Sequence, residues 1–205
     1  MNDQRMITEI DGAMLAEAFP VRHRSTALLA GVAAARLLAP RQWTERFAVQ
    51  VESQTVLIPA RLHFASDRLK LLESDEGWRF ARALQTRSND GFERQRAARD
   101  LLAGLPSWAT PFIIALIGEY IVEILEDVTA AMTPELEQTL GAFIADNEAF
   151  WGTTKRRVAS YWNVYYRHRS ISDGRRAFTR HEYIGFDLVD RLEAAAFGGA
   201  PIVRE

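Results

Sequence analysis

The residues best suited to chemistry lie in one basic, aromatic stretch. Between Lys155 and Arg180 there are eight bases (Lys155, Arg156, Arg157, Arg167, Arg169, Arg175, Arg176 and Arg180) against a single acid, Asp173. Tyr161, Trp162, Tyr165 and Tyr166 are interleaved with them. Guanidinium groups contact phosphates and flat rings stack on unpaired bases, so such a strip can bind nucleic acid. The candidate binding residues are Arg156, Arg157, Tyr161, Trp162, Tyr165, Arg167, Arg175, Arg176 and His181. The competing account is structural. Aromatics at helical spacing usually belong to a core, and charge runs are usually solvated or paired. The segment just upstream, from Pro111 to Thr154, holds eight acids and no Lys or Arg. Mutual neutralisation of the two blocks is the simpler arrangement and the preferred one.

A second candidate is the carboxylate stripe Glu119, Glu123 and Glu126. Glu119 and Glu123 are four apart, so one continuous helix would stack them on a single face. Di-metal sites in bundles add Glu-x-x-His pairs on facing helices. None of His23, His63, His168 and His181 follows a Glu at that spacing. The stripe is therefore assigned to structural ion pairing with Arg, and no metal is expected. His181, Glu182 and Tyr183, beside Arg175, Arg176 and Arg180, form a polar group that reads as the exposed first turn of a helix.

The chain lacks a Gly-rich phosphate loop, a Gly-x-Ser-x-Gly elbow and a His-Glu-x-x-His motif, the usual marks of phosphate, acyl-transfer and zinc chemistry. It has no Cys, which excludes disulfides, thiolate metal sites and a Cys nucleophile. No cofactor is implied. The formal net charge of −2 is not that of a general nucleic-acid binder. The charged start, Met1 to Asp11, has no apolar signal core, so a cytoplasmic location is expected. The most apolar run, Leu105 to Gly118, is too short to span a bilayer and is followed by two carboxylates, so no membrane association is expected.

These residues need elements to hold them. The 205 residues suit one mainly α domain with a small β-ribbon. Residues 1–20 are a lead-in, 21–64 a helix plus ribbon, 65–197 a helical core and 198–205 a loose tail. Ser25 caps a helix over Thr26–Ala39 whose inner face is Leu28, Leu29, Val32, Ala35 and Leu38. Alternation at Phe47, Val49 and Val51, then at Val56–Phe64, predicts the ribbon, turned at Glu52–Gln54. Leu69, Leu71, Leu72 and Trp78 lie in a stretch with unclear boundaries. Phe92–Ala103 is a helix with Phe92, Ala98, Leu101 and Leu102 inward and Arg94 outward. It forms a hairpin, 92–128, with an apolar helix over Thr110–Asp127 that serves as the axle of the fold. Thr133-Pro134-Glu135 starts a helix that runs to about Arg167, kinked at Gly152. A last helix covers Phe178 or Thr179 to Ala196, ended by Gly198.

The resulting expectation is a non-enzymatic, helical protein-interaction or regulatory protein whose partner is another protein or a second copy. Nucleic-acid binding through 155–180 is the first alternative. A small-molecule enzyme or binder with a pocket on the 134–167 helix is the second.

Overall fold

The computed structural model describes residues 9–42, 44–65, 75–168 and 177–198, excepting the side chains of residues 75 and 76. The expectations for Leu69, Leu71, Leu72, Arg169, Arg175, Arg176 and the tail beyond Gly198 fall outside these residues. The fold is mainly α with one two-stranded antiparallel ribbon. The chain divides into two compact units, Met1–Phe112 and Ile113–Glu205.

In the first unit, α1 (Gly12–Ala16) packs on α2 (Arg24–Ala35). Strands β1 (Arg46–Val51) and β2 (Gln54–Pro59) follow, then α3 (Asp75–Gln85) and α4 (Gly91–Leu102). The ribbon register places Phe47 opposite Ile58 and Val49 opposite Val56. Its turn puts Glu52 and Ser53 at φ 52° and 62°. Positive φ at both central residues matches the right-handed twist of the strands.

The α2 helix presents the opposite face from the one its sequence suggests. Ala27, Ala30, Gly31 and Ala34 are buried, whereas Leu28, Leu29 and Val32 are exposed, Leu29 at 68%. A Cβ on Gly31 would lie 2.4 Å from the Gly12 carbonyl oxygen, and one on Gly12 would lie 2.5 Å from Val32. The two backbones touch at Gly12, Gly31 and Val32, and an approach that close leaves no room for a side chain at either glycine. Nor does Ser25 cap the helix: His23 occupies the N-cap position, with no side-chain cap bond. His23 instead sits beside the rings of Phe80 and Trp108, which stack at 4.2 Å.

In α4 the expected orientation is also reversed. Phe92 is 81% exposed and Arg94 is buried. Asp90 caps the helix by accepting the N–H groups of Phe92 and Glu93, which places Phe92 in the first turn, facing water. The inward stripe runs Arg94, Ala97, Ala98, Leu101. Arg94 donates to the carbonyls of Ser88 (2.8 Å) and Asn89 (3.1 Å), and buried Arg87 to those of Pro59 (3.1 Å) and Ala60 (2.6 Å). Two guanidiniums thus supply partners to backbone carbonyls of the loops they are buried beneath, Ser88 O receiving Arg61 as well.

The axle is not one helix. Every residue from Trp108 to Glu119 is buried, but α5 ends at Ile117 (Thr110–Ile117) and α6 starts at Val122 (Val122–Ala130). The second arm of the expected 92–128 hairpin is therefore broken. The second unit continues with α7 (Pro134–Asp146), α8 (Glu148–Tyr161), a π-helical turn (Trp162–Tyr166) and α9 (Ile184–Phe197). Helix α9 packs against α6, α7 and α8.

The single 134–167 helix is also divided, at Asn147 and not at Gly152. Asn147 has φ −136° and ψ 45°, outside the helical region. Its N–H bonds Ile144 O, while its Nδ2 donates at 2.9 Å to Phe143 O, the carbonyl its own N–H would have reached in a helix. Its own carbonyl accepts the N–H of Trp151. The side chain thereby replaces one lost ladder bond.

Candidate functional site

The candidate residues lie around the C-terminal end of α8. Arg157, Tyr161 and Tyr165 follow one another at four-residue steps on one stripe. The helix then loosens: Arg167 N–H reaches back five residues to Trp162 O at 2.8 Å. Such π-helical turns are rare and recur at functional sites.

Three tyrosines gather on this stripe. Tyr120, Tyr161 and Tyr165 have ring centroids 5.4–5.9 Å apart in all three pairs. Tyr120 is exposed, while Tyr161 and Tyr165 are half-buried. Val164, on the same turn, is 65% exposed, and Asn163, Arg167 and His168 face water beside it. Trp162 and Tyr166 turn inward. Trp162 donates its indole N–H to Phe178 O at 3.0 Å and meets the edge of Phe186. Tyr166 donates its hydroxyl to Tyr120 O at 2.5 Å. The carbonyl freed where the axle breaks is thus satisfied from α8's far end.

The break also explains the carboxylates. Gly118 sits where an added Cβ would lie 3.4 Å from both Arg157 and Thr154, so α8 crosses closely there. Glu119 is buried, but Glu123 and Glu126 are exposed. With Gly118–Ile121 outside helix, Glu119 and Glu123 do not share a continuous face, so the expected Glu119–Glu123–Glu126 stripe does not form. Among the described residues no group of three or more His, Asp or Glu is placed to hold a metal ion.

The remaining bases are held locally. Arg156 is exposed and donates to Thr153 Oγ1 at 2.9 Å. Arg167 donates to Asn163 Oδ1 at 3.0 Å and lies over Trp162. Lys155 pairs with Glu193 of α9, and Trp151 donates to the same oxygen. Arg191 of α9 pairs with Glu137 of α7 at 2.5 Å. Helix α9 is therefore one neutralising partner of both blocks. Glu135, Asp146 and Glu148 of the acidic block face water with Glu123 and Glu126. At the start of α7 the backbone N–H of Glu135 and the Thr133 hydroxyl hold the Glu135 carboxyl below the usual carboxylate range.

The polar group at 180–183 disperses. Arg180 stacks over the Phe186 ring at 4.1 Å, His181 is exposed, and Glu182 accepts the N–H (2.8 Å) and hydroxyl (2.9 Å) of Thr179. That local turn delays α9, which starts at Ile184. Tyr183 is fully buried, stacked on Tyr166 at 5.2 Å. Its hydroxyl has no hydrogen-bond partner among the described residues. Burial, and then the neighbouring Tyr166, push its ionisation above the ordinary phenol range.

Sequence reasoning brought Arg157, Tyr161 and Tyr165 to one place. It missed Tyr120 and Val164, the two exposed members of the patch. The one available signal was Gly118-Glu119, which marks where the axle could break and release Tyr120 toward α8. No protein-family model matches the chain, no curated protein matches it, and no solved structure matches it.

Proposed function

We propose that this chain is a non-enzymatic protein-interaction or regulatory protein that engages its partner through the tyrosine surface at the end of α8. The observation that carries this reading is the Tyr120–Tyr161–Tyr165 cluster with Val164 exposed beside it. Tyrosine offers a large, stiff, amphipathic contact area with little entropy to lose, and it is enriched in binding hot spots. Packed ring against ring, the three are already ordered before a partner arrives, which lowers the cost of binding. The reading takes the partner to be a protein, a second copy included, and the setting to be cytoplasmic.

The same geometry weighs against base stacking. Each tyrosine in the cluster contacts both others, so a nucleobase would have to compete with those ring contacts. The expected result is that a fluorescent single-stranded oligonucleotide shows no saturable anisotropy change at low salt. A salt-dependent complex, weakened by Arg156→Ala with Arg157→Ala, overturns the proposal and favours nucleic-acid binding.

A further inference from the structure

The first unit carries a separate surface. On α2, Arg24, Leu28, Val32 and Arg36 follow at four-residue steps, with Leu29 on the adjoining row. All five are exposed. Gly12 packs on the adjoining flank of the helix, against Gly31 and Val32, and the stripe runs along the edge of that contact. The stripe is apolar in the middle and cationic at both ends. Roughly 3.3 turns separate Arg24 from Arg36, about 18 Å along the axis. Between Glu17 and Glu45 the chain holds Arg22, Arg24, Arg36 and Arg41 and no acid. Arg22 pairs with Glu52, whereas neither Arg24 nor Arg36 is in an ion pair among the described residues.

A cleft of about 170 Å³ opens at the Arg24 end of the stripe. Ala13, Ala16, Phe19 and Leu57 give it an apolar lining, and Arg24 stands among its walls with Gln54, Thr55 and Glu17, the last paired with Arg46. It is smaller than the roughly 300–1,000 Å³ of ordinary small-molecule sites, but has room for one aliphatic side chain.

The geometry points to an acidic amphipathic helix of another protein as the occupant of this surface. Its apolar face would cover Leu28, Leu29 and Val32, and an aliphatic anchor would enter the cleft. Carboxylates bracketing that face, about 18 Å apart, would meet Arg24 and Arg36. A bilayer fits less well. Membrane-surface helices bury a long apolar face in the lipid, whereas this patch is short, closed by charge at each end, and continued by a cleft that a flat surface leaves empty.

The test uses the full chain and a labelled helical peptide of about fourteen residues. The peptide has Leu on one face, Glu in its first and last turns and Ala elsewhere. Saturable, salt-sensitive binding is expected. Leu29→Glu should weaken it by about tenfold or more, as loss of a central apolar contact does, with an unchanged melting curve because Leu29 is exposed. Arg24→Glu with Arg36→Glu should lose the Glu peptide and gain its Lys counterpart. No saturable binding, equal binding of the Lys peptide, or indifference to Leu29→Glu overturns the inference. So does either of two results abolished by Leu29→Glu in the absence of peptide: co-sedimentation with phosphatidylserine vesicles, which indicates a membrane surface, or a concentration-dependent dimer, which indicates a second copy. Tyr161→Ser with Tyr165→Ser should leave peptide binding unchanged, which separates this surface from the tyrosine surface.

Discussion

Tyr183 concentrates the physics of the second unit at one residue. Its ring fills space between Tyr166, Phe178 and Phe186, and Gly185 must lack a side chain because a Cβ there would lie 2.6 Å from the Tyr183 ring. The hydroxyl, buried without a partner among the described residues, costs on the order of 1–3 kcal/mol. Tyr183→Phe keeps the packing and removes that cost, so chemical denaturation should show stability equal to or about 1 kcal/mol above the parent. The pH dependence has a definite sign. The folded pKa is raised above the ordinary 10.0. The linked contribution is therefore fully present below pH 10 and is lost as pH rises through the folded value. The parent's alkaline decline should be shallower in Tyr183→Phe; an identical decline would remove Tyr183 from the account. The apolar series of the last helix, Tyr183, Phe186, Leu188, Val189 and Leu192, agrees with this burial, although Arg180, His181 and Glu182 give Tyr183 a polar neighbourhood in sequence. Arg94 and Phe92, by contrast, face opposite to expectation. Side-chain chemistry suggested their facing, while the cap at Asp90 and the loop carbonyls of Ser88 and Asn89 decided it.

At the scale of elements, glycines mark where helices may approach. The structure ranks three of them. A Cβ at Gly31 would lie 2.4 Å from a backbone oxygen, one at Gly141 would lie 2.9 Å from the Ala195 backbone, and one at Gly152 would meet nothing nearer than Arg156 Nη1 at 3.7 Å. Gly31→Ala should destabilise most and Gly141→Ala by roughly 1–3 kcal/mol, as overpacking does. Gly152→Ala should stabilise by roughly 0.4–1 kcal/mol through loss of unfolded-state entropy. Thermal melts of the three variants check the order; destabilisation by Gly152→Ala would restore it as a kink. Element types were legible from apolar periodicity, including the ribbon and the Thr133-Pro134 helix start. Two breaks were not. Gly118 and Asn147 sit inside unbroken apolar patterns, and the interactions that settle them come from residues distant in sequence or from a side chain replacing backbone. Tyr166 meets the Tyr120 carbonyl, and Asn147 Nδ2 meets Phe143 O. The face of α2 was unreadable for a related reason. Hydrophobicity favours burying Leu over Ala, but close backbone contact with α1 selects the small residues.

At the scale of the molecule, the separation of charge was plain in sequence and its resolution was not. Lys155 and Arg191 pair with Glu193 and Glu137 through α9, while much of the acidic block stays in water. Among the described residues no helix is long and apolar enough to cross a membrane. Against that background the tyrosine cluster is the feature most suited to a specific protein contact, and we propose that a protein docks there. The most direct measurement places a photo-crosslinking amino acid at Val164 in the full chain and irradiates living cells. The account predicts a discrete, protease-sensitive adduct that is lost when Tyr161 and Tyr165 are replaced by Ser and is absent when the crosslinker sits at exposed Glu126. An adduct removed by nuclease and not by protease, or no adduct at Val164 beyond that at Glu126, would contradict it.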